Sequence, residues 1–170
     1  MRISKLLSVL TTIGALVVGI HGTVSAASAQ ANLPISVTVA NNCTITALAV
    51  GFPNYDPIVT HATTPDNSTS GSVTITCTKG STTTIGLSLG ANFTGTQARM
   101  LNGTANYLNY GLYQDAAHTI VWGNAAPNLY TPPAAPSKAA RTYTVNAQIP
   151  AAQDVPAGVY SDTVVATVNF

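Results

Sequence analysis

The chain has 170 residues, only 6% of them charged, and a formal net charge of +1. So sparse a charge set leaves no electrostatic footprint for nucleic acid or for an anionic membrane surface. The chain contains no Glu and is rich in Thr, Ala, Asn, Gly and Val, which excludes a protein built on charged amphipathic helices and points to an all-β fold.

The first expected element, residues 1–29, is a signal peptide. Arg2 and Lys5 form a basic start, residues 6–20 an apolar run, and Ala27-Ser28-Ala29 a small-x-small cleavage site. Cleavage is expected after Ala29, with Ala26 as the rival site. The competing reading, a transmembrane anchor, is disfavoured because the apolar run is short for a bilayer and is followed by small and polar residues. Export to the periplasm or surface of a bacterium follows. About 140 residues then remain, enough for one domain with its own core. They carry four basic residues (Lys79, Arg99, Lys138, Arg141) against five aspartates.

The next segment, residues 30–41, contains a strand-like stretch in which Leu33, Ile35, Val37 and Val39 share one face. Pro34 lacks an N–H, which suits a strand edge or start and limits good pairing to Ile35 onward. Cys43 and Cys77 are the only cysteines. In an exported chain their default is a disulfide, worth roughly 3–4 kcal/mol for a loop of this length. Residues 52–70 read as a surface loop, with Pro53, Asp56-Pro57 and Pro65-Asp66-Asn67 and little apolar periodicity.

Alternation then marks strands at residues 72–77 (Val73, Ile75, Cys77), 84–89 (Ile85, Leu87, Leu89), around Leu108, Tyr110 and Leu112, and around Tyr143, Val145, Ala147 and Ile149. Turns are expected at Lys79-Gly80-Ser81, Gly90-Ala91-Asn92, Asn102-Gly103 and Pro156-Ala157-Gly158. The proline-rich stretch 127–138 is expected to run over the surface. The final residues, 159–170, read as a last strand, with Val164, Ala166, Val168 and Phe170 on one face. Six or seven short strands suggest a sandwich of immunoglobulin type. The chain stops before a closing strand is laid down, so an apolar groove beside the last strand is expected. An exposed strand edge is hazardous unless another chain uses it.

Several blocks occur in an order that spans nearly all of the mature chain: Asn42-Cys43-Thr44-Ile45, Phe52…Tyr55-Asp56-Pro57, and Gly71-Ser72-Val73-Thr74-Ile75-Thr76-Cys77. They continue with Arg99-Met100, Leu108-Asn109-Tyr110-Gly111-Leu112-Tyr113, Trp122-Gly123, and Ile149-Pro150…Gln153…Ala157-Gly158-Val159-Tyr160-Ser161-Asp162-Thr163. In these blocks the chain resembles the spore coat protein U domain family, which includes the pilins of archaic (Csu-type) chaperone–usher pili. Pro53 and Ala152 stand where that pattern has glycine, which affects turn geometry rather than the fold.

The resemblance implies an incomplete immunoglobulin-like β-sandwich over residues 42–170, lacking its closing strand, with residues 30–41 as an N-terminal donor strand. It implies no cofactor. Its expected partners are a periplasmic pilus chaperone that lends a strand to the groove, an outer-membrane usher that exchanges it, and other copies or paralogous pilins joined head to tail. Leu33, Ile35, Val37 and Val39 would fill the groove, contributing on the order of 6–12 kcal/mol before ordering costs. Val164, Ala166, Val168 and Phe170 would form its wall, with Phe170 and its carboxylate as the chaperone's handle. Head-to-tail insertion is a heterologous contact that does not close, so it generates a filament.

The functional expectation is a fimbrial subunit for surface attachment and biofilm formation, a shaft or adaptor rather than a two-domain tip adhesin. Two rivals stay open. One is a self-complemented secreted coat or surface protein, in which residues 33–39 form the molecule's own first strand. The other is a carbohydrate-binding module using Tyr107, Tyr110, Tyr113 and Trp122, whose bland reading is core packing. No enzyme is expected. His21 leaves with the signal peptide, His61 and His118 sit in loops, and no nucleophile accompanies Asp115 and His118. The aspartates show no metal-loop spacing, and Asp162 reads as a hydrogen-bonding residue at a strand end.

Overall fold

A computed structural model describes residues 25–103 and 105–170. Residues 1–24 of the expected signal peptide lie outside them. The chain divides into two units, Met1–Val37 and Thr38–Phe170. In the first, the described residues 25–37 are exposed and form no strand. The strand-like stretch at 33–40 is therefore not a strand in this structure. An alternating pattern becomes one only when a partner backbone completes its ladder.

The second unit is all-β, with seven strands and no helix among the described residues. They are β1 (Cys43–Leu48), β2 (Asp66–Cys77), β3 (Thr84–Leu87), β4 (Ala98–Leu101), β5 (Tyr107–Tyr113), β6 (Arg141–Ile149) and β7 (Ala166–Asn169). Every ladder is antiparallel. Five strands form one sheet in the order β1-β2-β6-β5-β4, and β3 pairs with β7 in a second. The result is an immunoglobulin-like sandwich whose sheet is incomplete along one seam.

Period-2 patterning accounts for the core. Val73 and Ile75 of β2, Ile85 and Leu87 of β3, Leu108 and Leu112 of β5, and Val145, Ala147 and Ile149 of β6 are buried in one cluster, while their neighbours in sequence face outward or lie half-buried, except Gly86 and Asn146, which are buried too. Each fully buried Val or Ile contributes about 1.5–3 kcal/mol relative to exposure. Cys43 lies directly opposite Cys77 in the β1–β2 register, and the two form the disulfide.

Four features depart from the sequence reading. The expected loop 52–70 ends in strand, because Asp66, Asn67 and Ser68 pair with Ile149, Gln148 and Ala147 of β6 before a bulge restores the register at Gly71. β4 shows no alternation long enough to be seen, yet its four residues pair with Leu101↔Tyr107 through Ala98↔Tyr110. The final strand is short: ladder pairing with β3 covers only Ala166–Asn169. The proline-rich stretch is partly internal. Pro132 and Ala135 are buried, and Tyr130 exchanges two backbone hydrogen bonds with Ile85, at 2.8 and 2.9 Å, on the edge of β3.

Candidate assembly cleft

β1 is hydrogen-bonded to β2 on one side, and β7 to β3 on one side. Their remaining edges approach each other without forming a ladder. An apolar cleft of about 460 Å³ lies along this seam, and a second cavity of about 610 Å³ continues it beyond both strands, between residues 50–57 and 155–160. Val50, Phe52, Met100 and Tyr160 line both, so they join the two ends. The floor of the first cavity is the core itself, through Val73, Leu87, Leu112 and Val145. Leu108 and Ile149 floor the second.

One lip is built by β1 and the chain that follows it. Ala47 and Leu48 line the cleft, and Leu48 is 64% exposed. Beyond β1, the two serines of the β2 bulge hold Gly51: Ser70 Oγ accepts from its N–H at 2.8 Å, and Ser68 Oγ donates to its carbonyl. Val50 then sits directly on Gly71, where a Cβ would lie 2.3 Å from Val50 Cγ2. Glycine at 71 is therefore what allows Val50 to reach into the cleft.

The other lip, residues 160–166, is latched by Asp162. Its carboxylate accepts from the N–H groups of Ala91 and Asn92 at 2.9 and 3.2 Å, from Asn92 Nδ2 at 2.9 Å and from its neighbour Thr163 at 2.9 Å. The Tyr110 hydroxyl, rising from the floor, donates to the other oxygen at 2.8 Å. Burial first, and then the hydrogen bond and charge of Asp162, push the Tyr110 phenol well above its ordinary range. Tyr110 is thus a neutral donor at every physiological pH. Ser161 and Leu101 exchange backbone hydrogen bonds at 2.9 and 3.0 Å, tying the same lip to β4.

The far end is closed by a polar cross-tie. Gln153 extends the edge of β5 with its side-chain amide, accepting from Asn109 N at 2.8 Å and donating to Asn109 O at 2.9 Å. Tyr55 donates to Pro150 O at 2.8 Å and accepts from Gln153 N at 3.1 Å. His61 stacks on the Tyr55 ring, with centroids 5.0 Å apart, and its Nδ1 accepts from Asp56 N at 3.1 Å. The Asp56 carboxylate accepts from Ile58 N and Val59 N, which hold its carboxyl below the ordinary carboxylate value. Asp66 faces His61 at 3.9 Å, and burial pushes its carboxyl up.

Of the residues expected to form the groove wall, Val164 and Ala166 line the first cavity. Val168 packs on the core cluster opposite Ile85, and Phe170 lies past β7 and is 54% exposed. Leu33, Ile35, Val37 and Val39 are 82, 90, 88 and 76% exposed. Sequence reasoning missed Val50, Phe52, Met100 and the latch at Asp162 as parts of the cleft, although Phe52, Met100 and Asp162 all fall within the quoted blocks. The aromatic cluster is not one platform: Tyr110 and Trp122 are buried, Tyr107 lies under the Arg99 guanidinium at 3.9 Å, and Tyr113 packs edge-on against His118. Asp115 accepts from Thr119 and Ile120 in a tight turn. Among the described residues no three His, Cys, Asp or Glu side chains group closely enough to hold a metal.

Residues 29–167 match the Spore Coat Protein U domain. The chain is 37% identical over 161 residues to Protein U of Myxococcus xanthus, covering 85% of this chain and 87% of that protein. Its fold is similar to a chain of the chaperone–tip adhesion subunit pre-assembly complex (CsuC–CsuE) from the archaic chaperone–usher Csu pili of Acinetobacter baumannii. The TM-score is 0.57 at 24% identity, over 78% of this chain and 41% of that one. This extent and order of agreement carry one conclusion: the chain belongs to the Spore Coat Protein U domain family.

Proposed function

We propose that the protein is a structural subunit of a chaperone–usher fimbria, polymerising by donor-strand exchange at the bacterial surface for adhesion and biofilm formation. One observation carries this reading: an open apolar cleft between two unpaired strand edges occurs in the same chain as an exposed segment with four apolar side chains on one face. Strand addition satisfies both edges with main-chain hydrogen bonds and fills alternate pockets with side chains. In this reading residues 1–29 are a signal peptide, residues 30–41 of one subunit enter the cleft of the next, and a periplasmic chaperone holds the cleft until an outer-membrane usher exchanges it. Val164 and Ala166 contact the occupant directly.

The test is expression of the mature chain with and without residues 30–41, each mixed with its chaperone. SDS-resistant ladders are expected at low temperature from the intact chain and not from the truncated one. A stable monomer that needs no chaperone would sink the proposal. The coat-protein name of the family favours a second reading, a self-complemented surface protein, and that monomer is its signature.

A further inference from the structure

We infer that the proline-rich stretch 127–138 is a buttress that fixes the root of the N-terminal arm and makes the joint between successive subunits stiff. The joint rests on the donor-strand reading; the buttress itself rests on contacts within the sandwich unit.

The arm's last apolar side chain is Val39, and the backbone is held from the next residue onward. Thr78 Oγ1 accepts from Asn42 N at 3.1 Å and donates to Ala40 O at 3.3 Å, while Thr78 N donates to Asn42 O at 2.9 Å. The Ser81 hydroxyl donates to Asn41 Oδ1 and lies 2.6 Å from Thr78 O. Ser81 is buried. The Cys43–Cys77 disulfide follows at once and staples the same two segments covalently. Ala40, Asn41 and Asn42 are thus all tied to the turn at 78–81, and no free residue separates Val39 from anchored chain. Flexible linkage needs several unconstrained residues.

The turn at 78–81 is itself braced from behind. Gly80 N donates to Ala135 O at 2.8 Å, and Ala135 N donates to Ser81 O at 2.9 Å, a reciprocal pair. Ala135 is 3% exposed, unusual for alanine in a surface loop. Arg141 of β6 donates to Pro133 O at 2.7 Å, and Tyr130 is bonded to β3. Pro127, Pro132, Pro133 and Pro136 fix φ along this span, so it acts as a strut held at three points. The stretch expected to run over the surface therefore braces the turn that holds residues 40–42.

Two measurements test this on the intact chain. In the mature chain, a strut variant with Pro132→Gly, Pro133→Gly and Pro136→Gly releases φ along the stretch while leaving Thr78 and Ser81 in place, and exchange of the Asn42 amide is expected to quicken on the order of tenfold. Thr78→Val with Ser81→Ala, which removes the hydroxyls that hold the root directly, is expected to quicken it at least as much, and Thr78→Ser to match the wild type. In assembled filaments the strut variant still forms ladders, because all donor side chains are intact, but its persistence length seen by electron microscopy falls at least about twofold. Unchanged Asn42 exchange in the strut variant would overturn the buttress, and unchanged filament stiffness would overturn its role at the joint. Failure of the wild-type chain to form ladders would instead remove the donor-strand reading, and the exchange measurement would still decide the buttress.

Discussion

Asp162 gathers five donors onto one carboxylate, and the cleft's second lip depends on that gathering. The geometry leaves no slack at Gly90, whose φ is +85° and where a Cβ would stand 1.7 Å from Asp162 Oδ2. Only glycine allows the 90–92 turn to close on the carboxylate. Tyr110 is the buried member of the set, so the two side chains are energetically coupled. Asp162→Ala leaves the phenol without its acceptor and is expected to cost about 3 kcal/mol, and Tyr110→Phe about 1.5–2 kcal/mol. In the double variant the second change should cost little, giving a coupling of about 1–2 kcal/mol in denaturant unfolding. Strict additivity would show that the two side chains act separately.

Strands with long alternation were legible because both faces of the sandwich obey the same period. Val73 and Ile75, Leu108, Tyr110 and Leu112, and Val145, Ala147 and Ile149 are buried as their pattern requires, although Asn146 is buried as well. What escaped is strand structure imposed by a partner. Asp66 to Ser68 is polar and becomes strand only because Ala147 to Ile149 lies alongside, and Ala98–Leu101 is too short to show a period. The cleft is legible in outline from residues 159–170, but Val50 and Phe52 reach it through the bulge serines and Gly71, contacts that no local pattern announces. The arm carries its own code. Leu33, Ile35, Val37 and Val39 share one face, and Ser36 and Thr38 share the other. A charge buried by Val37→Asp is expected to abolish ladder formation, costing several kcal/mol at the joint. Thr38→Asp, one residue along but on the opposite face, is expected to leave ladders intact. Equal loss from both substitutions would contradict insertion as a strand.

The cleft is lined by apolar side chains that a complete sandwich would cover, with Leu48 64% exposed and Val50, Phe52, Met100 and Tyr160 half-buried, so the stability of the sandwich unit is expected to depend on what fills the seam. Within the unit, the Cys43–Cys77 staple compensates in part: it closes a separation of 34 residues and joins β1, a strand paired along one edge, to β2, which is paired along both. In the chain-entropy account such a closure is worth about 3–4 kcal/mol. Filling the seam adds to this by mass action, because an occupant binds the folded unit and not the unfolded chain. A synthetic peptide of residues 31–41, added to the mature chain at about one hundred times its Kd, should therefore stabilise it by about 2.7 kcal/mol. For a domain of this size that raises Tm on the order of 10 °C. The same peptide with Val37→Asp should leave Tm where it was. A wild-type peptide that leaves Tm unchanged at saturating concentration would mean that the cleft does not accept this strand, whatever else the cleft binds.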